Sequence, residues 1–134
     1  MLDHTLDELL LAHLKTVPAL AALHGYTGQD NAGHKLPALT IGTTSEPLAG
    51  SDTAFRGEVG IIAESEAHDT TAAAHGEHVE AVRAALANPV AVIAAINATG
   101  RPHIYGYAPL GTEPTAGDAR FNTKLRYRFG FGPA

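Results

Sequence analysis

The stretch 120-RFNTKLRYRFGF-131 decides the fold. Phe121, Thr123, Leu125, Tyr127, Phe129 and Phe131 take every odd position, while Arg120, Asn122, Lys124, Arg126 and Arg128 take the even ones. Successive side chains of a strand point to opposite faces, so this segment presents one apolar face and one basic face. A helix would repeat its apolar positions at three and four residues, which this segment does not do. It holds three of the four Phe residues and four of the nine Lys and Arg residues. It is therefore the expected centre of the core and the most charged local surface. It contains no nucleophile, paired carboxylates or metal-ligand set.

Working outward, Phe55 to Ser65 is a second strong strand. Phe55, Val59, Ile61 and Ala63 share one face, and Arg56, Glu58, Ile62 and Glu64 share the other. Acids stand there where the last strand carries bases. Laid side by side, the two strands would pair opposite charges across the ladder, at about 0.2–1 kcal/mol each. The basic face then has two readings. It is a solvated surface balanced by the neighbouring acids, or a contact surface for an acidic subunit or for nucleic acid. Aromatic side chains of the last strand point the other way, which disfavours base stacking on the basic face.

The remaining elements follow from periodicity and punctuation. Thr5 and Glu8 fit a capping box for a first helix, with Leu6, Leu9, Leu10, His13, Leu14 and Val17 on one face. Asp7, Glu8, Leu11 and Lys15 fall opposite. Pro18 restarts a short turn with Leu20 and Leu23 inward, and Gly25 closes it. Gly25 to Pro37 reads as a loop, Ala38 to Thr43 as a short strand, and Thr44 to Thr53 as a second loop. Asp69 or Thr70 caps a helix running to about Ala87, with His75, Val79, Val82 and Leu86 buried and Asn88-Pro89 as its stop. Val90 to Ile96 reads as a further helical turn. His103 to Tyr107 is a strand, and Ala108 to Ala119 a long loop. The expectation is one α+β domain over residues 1–134: a small, mostly antiparallel four-stranded sheet with two main helices on one face, in the order α-β-β-α-β-β.

Composition narrows the function. A chain of 134 residues is large enough to bury about two-thirds of its unfolded surface. Alanine makes up much of the 45% hydrophobic content, and there is no Trp, so the core is thin. A net charge of −5 disfavours a broad nucleic-acid grip, which needs clustered cations. The absence of cysteine removes disulfides, thiol catalysis and cysteine zinc sites. The acidic N-terminus lacks a secretory pattern, and no segment nears the roughly 20 apolar residues that span a bilayer. A soluble intracellular product is expected.

No motif carries chemistry. His68, Asp69, His75, Glu77 and His78 form the best metal candidate, because His75 and His78 are three apart on a helix. They lack the His-Glu-x-x-His order, and Gly76 loosens the helix where ligands would need rigidity. A small metal-dependent enzyme using His68, His75 and His78 is the rival reading from another class. No Gly-x-Ser-x-Gly elbow or phosphate loop occurs. Glu64 and Glu66 share a strand face with nothing to split their pKa values. No catalytic, cofactor or metal residue is assigned.

The order of patches resembles a family. A leucine-rich N-terminal helix leads to Pro-Ala-Leu-Thr-Ile and a Ser-Glu-Pro loop. Phe-Arg-Gly-Glu-Val-Gly-Ile-Ile follows, then His-Val-Glu-Ala-Val-Arg-Ala-Ala-Leu, and the chain closes on Phe-Asn-Thr-Lys-Leu-Arg-Tyr-Arg-Phe. This is similar to the tail terminator and tail-completion proteins of long-tailed bacteriophages. The resemblance spans nearly the whole chain without signature residues. It implies a non-enzymatic virion protein without cofactor, forming a ring, as a hexamer, that caps the tail tube and meets the head–tail connector. DNA would pass through the ring unrecognised, and assembly would take place in the bacterial host cytoplasm. A connector or stopper protein of the neck is the nearest alternative. Under either reading, Leu11, Glu46, Ser51, Asp52, Glu113, Arg120, Lys124, Arg126 and Arg128 are the candidate subunit or partner contacts.

Overall fold

A computed structural model of the chain describes residues 2–28, 35–48, 50, 53–66, 71–100, 102–115 and 120–133. The elements in order are α1 (Leu2–Leu14), β1 (His24–Thr27), β2 (Ala38–Pro47), β3 (Phe55–Glu66), α2 (Ala72–Ala85), α3 (Pro89–Asn97), β4 (His103–Thr115) and β5 (Arg120–Gly132). The strands form one sheet in the order β1-β2-β3-β5-β4. Only the β1–β2 pair is parallel. Among the described residues the fold is α+β as expected, with five strands and three helices instead of four strands and two main helices.

The last strand lies inside the sheet, between β3 and β4. Its register sets Ile61 opposite Leu125, Val59 opposite Tyr127 and Gly57 opposite Phe129. Odd-numbered side chains of β3 and β5 thus meet on one face, and all three helices pack there. Leu6, Leu10 and Leu14 of α1, Val79 and Val82 of α2, and Val92 and Ile96 of α3 join Ile61, Leu125, Tyr127, Phe129 and Phe131 in one core. The even-numbered face carries no described helix. Among the described residues no single helix is long and apolar enough to cross a membrane.

Each departure from expectation has a local cause. β1 was read as loop because His24-Gly25-Tyr26-Thr27 has no apolar alternation; it is held by parallel pairing to Ala38–Ile41 and by Leu11 of α1. A Cβ on Gly25 would lie 2.9 Å from Leu11 Cδ2, so the absent side chain lets the helix rest on the strand. Leu11 is therefore half-buried against the core, not on a polar face. Leu20 and Leu23 do turn inward, but Gly25 starts no loop. α1 begins at Leu2, so Thr5 lies within the helix and does not open it.

β2 runs on through Thr44–Pro47, paired with β3 down to Phe55, which shortens the expected loop. α2 starts at Ala72 after Thr71, whose side chain makes no cap hydrogen bond; Asp69 and Thr70 lie outside the described residues. Asn88-Pro89 does not merely stop α2. Asn88 accepts from the Ala91 N–H at 3.4 Å, and Pro89 occupies the first turn of α3. β4 continues through Ala108–Thr115 despite two prolines, with register shifts between Ile104 and Gly106 and between Pro109 and Gly111. Pro109 and Pro114 are tolerated because β4 is an edge strand.

Tyr127 is 4% exposed and meets the Tyr107 ring edge-on at 6.1 Å. Tyr127→Ala is expected to cost about 3–5 kcal/mol, read as a lowered urea midpoint, whereas a loss under about 1 kcal/mol would place Tyr127 outside the core.

Candidate functional site: the open face of the sheet

With all three helices on one side, the even-numbered side chains of β3 and β5 stand on the face that carries no described helix, exposed around Arg56 and Arg128 and buried around Glu64, Thr40 and Ala38. Five of the nine Lys and Arg residues are here: Arg56, Arg120, Lys124, Arg126 and Arg128. Most are matched within the sheet. Arg126 reaches diagonally to Glu58, an ion pair that holds its guanidinium pKa above the usual value. Arg120 lies 3.2 Å from Glu64, which is 4% exposed although it stands on the open face. Arg56 and Glu46, direct partners in the β2–β3 register, are 3.4 Å apart. Adjacent placement of the acidic and basic strands is thus observed.

Lys124 faces Glu113 across the β4–β5 pair and Ile62 across the β3–β5 pair. Its side chain lies over Gly60, where a Cβ would come within 2.7 Å of the lysine Cε. Arg128 is exposed and has no ion pair or side-chain hydrogen bond among the described residues. It borders a shallow depression of about 450 Å³ together with Thr44, Glu46, Arg56, Glu58 and Leu110. Leu110, 37% exposed, sits beside the second irregularity of β4. The alternation of β3 already placed Arg56 on this face. Leu110 escaped notice because the bulge breaks the alternation that would have exposed it.

The structure gathers Glu46, Glu113, Arg120, Lys124, Arg126 and Arg128 on one surface. Leu11 is not among them, since it packs between α1 and β1. Ser51 and Asp52 lie outside the described residues.

The histidine group behaves differently from a metal centre. His75 Nδ1 is 3.2 Å from Ser65 Oγ, and His75 Nε2 is 2.9 Å from Thr123 Oγ1. Both ring nitrogens are engaged in tying α2 to β3 and β5, and burial pushes the imidazole pKa down. His68 lies outside the described residues. Among the described residues no group of three potential ligands converges. His78 Nδ1 is buried without a partner among them, beside a cavity of about 230 Å³.

Sequence periodicity also misplaced Asp7, which is buried at 3% exposure instead of facing water. It accepts from Thr43 Oγ1 at 2.5 Å, and one helical turn away Asp3 accepts from Ser45 Oγ at 2.5 Å. Helix positions four apart thereby match strand positions two apart, and the two carboxylates fix α1 to β2. Burial pushes the Asp7 carboxyl up from 3.8 to about 6, against the opposing pull of its Thr43 hydrogen bonds. No sequence signal short of a fold distinguishes this aspartate from the solvated Glu8 beside it.

Two outcomes follow from these geometries. Glu58→Arg and Arg126→Glu are each expected to lower stability by about 0.2–1 kcal/mol, with the double variant recovering it; additive losses in the double-mutant cycle would show that the pair is not coupled. A carboxyl whose folded pKa is raised stabilises the fold below its unfolded value and loses that contribution as pH rises through its folded value. Wild type should therefore lose stability relative to Asp7→Asn as pH rises between 3.8 and about 6. Because His75 titrates with the opposite sign, the difference between the two proteins is the quantity to measure; a flat difference would place Asp7 in water.

No protein-family model matches the chain, and no curated protein sequence matches it. Among solved structures, the chain is similar to a chain from the "Virion of native gene transfer agent (GTA) particle", with a TM-score of 0.63 and 15% sequence identity. The match covers 95% of this chain and 94% of that chain. At this identity what is shared is the fold, over essentially the full length of both chains.

Proposed function

We propose that the chain is a structural protein of a phage-like virion: a ring-forming tail terminator that caps the tail tube and offers a surface to the head. The observation that carries this reading is the end-to-end fold similarity to a virion chain, 95% of one and 94% of the other. It agrees with the family that the order of sequence patches resembles. The open sheet face supports it physically. A charged face with no helix over it, on a subunit with a thin core, suits a protein that completes its burial against neighbours. Its partners would be further copies of itself, as a hexamer, the tail tube protein and the head–tail connector. Glu46, Glu113, Arg120, Lys124, Arg126 and Arg128 would lie at such contacts. An acidic net charge of −5 suits a channel through which DNA passes without sticking. The role needs no catalysis, and the engagement of both His75 nitrogens weighs against the metal-enzyme reading.

Native mass spectrometry and negative-stain imaging of the purified protein are expected to show a closed ring that binds one end of tail tubes. Stable monomers at every concentration, with no binding to tube ends, would overturn the proposal. Binding to the connector alone would favour a stopper of the neck instead.

A further inference from the structure

β4 is the long edge of the sheet, 13 residues from His103 to Thr115, paired with β5 along one side. An edge of that length offers a row of backbone N–H and C=O groups to any extended chain that comes alongside. In an antiparallel ladder the outward groups belong to alternate residues. Ile104 is one of them, because its N–H and its carbonyl both bond to Asn97. It stands opposite Phe131 in the register. Tyr107, Pro109, Thr112 and Pro114 stand opposite Phe129, Tyr127, Leu125 and Thr123, the next odd-numbered residues of β5, and are therefore outward too. Pro109 and Pro114 have no N–H to give. Of these outward residues, Ile104 and Tyr107 are the two donors with no proline between them.

Asn97 closes that stretch. It is the last residue of α3, and Gly100, at a φ of +97°, helps turn the chain so that β4 returns beside it. Asn97 Oδ1 accepts from the Ile104 N–H at 2.7 Å, and Nδ2 donates to the Ile104 carbonyl at 3.1 Å. A residue of an added antiparallel strand would make the same two bonds, one accepted and one donated. The side-chain amide stands where that residue would be. The Tyr107 hydroxyl bond to the Leu86 carbonyl, at 2.8 Å, also ties β4 to the helices, but it uses a side chain and covers no backbone group of the strand.

We propose that Asn97 is an edge plug: it fills the Ile104 backbone site, so that an extended segment of another polypeptide cannot pair with the start of β4. This role is independent of the proposed place in a virion. Asn97→Ala and Asn97→Ser, whose side chains are too short to make both bonds, should be compared with wild type and with Tyr107→Phe. Thermal melts establish folding, and light scattering and infrared spectra are then taken at a temperature where each protein is folded. Tyr107→Phe removes a tie between β4 and the helices while leaving Ile104 covered, which separates lost attachment from an opened edge. Each folded Asn97 variant is expected to grow into species heavier than the wild-type form, with an intermolecular β-sheet band, while Tyr107→Phe keeps the wild-type mass. Folded Asn97 variants that keep the wild-type mass, or equal growth by Tyr107→Phe, would overturn the plug. Failure of both Asn97 variants to fold would overturn it as well, by assigning Asn97 to the stability of the fold.

Discussion

The antiparallel ladder between β3 and β5 is the constraint on which the rest of this molecule depends. Twelve residues of each strand are paired, from Phe55 opposite Phe131 to Glu66 opposite Arg120. That single register puts Val59, Ile61, Leu125, Tyr127 and Phe129 on one side and the ion-paired residues on the other. A slip of one residue would exchange the faces, placing arginines under the helices and phenylalanines in water. The cost of burying unpaired guanidinium groups makes the register unambiguous, so the alternation specifies the two faces of the sheet.

Helices attach to this frame by means that are partly polar. α1 is bonded to β2 by Asp3 and Asp7, and α2 to β3 and β5 by His75. Tyr107 donates its hydroxyl to the Leu86 carbonyl at 2.8 Å, and Asn97 clasps the backbone of Ile104. Side chains this short and directional position each helix within the thin, alanine-rich layer that apolar packing alone would leave loosely specified. The result is a sheet sealed by helices on one face and carrying its ion-paired residues on the other.

How much of this was legible in the sequence depended on whether a residue's role was local. β3 and β5 could be read from alternation, their charge complementarity from which types occupied the even positions, and α3 from its spacing. β1 could not, because a four-residue parallel strand is defined by its partner. Nor could the extension of β4, whose prolines signal an end unless the strand is known to lie at an edge. Leu11 and Asp7 show the same limit within one helix. Both fall on the side that periodicity assigns to solvent, and both are enclosed because β1 and β2 wrap farther around α1 than an amphipathic stripe indicates. In the site, the arginines were visible as a class, but which of them found partners required the register. Only then does Arg128 separate from Arg126, two residues away on the same face.

That separation links fold to function. The charged face of the sheet is the feature on which the proposed assembly role draws, and the fold that presents it is shared, end to end, with a virion chain. All of it presupposes that β3 and β5 form the most stable unit of the structure. Native-state hydrogen exchange resolved by residue tests this most directly. The slowest amides should lie in the central pairs of that ladder, around Ile61 and Leu125, exchanging only through global unfolding. If the slowest amides lay instead in α1 or β4 while the centre of β3 and β5 exchanged early, the ladder would not be the frame on which the rest is built.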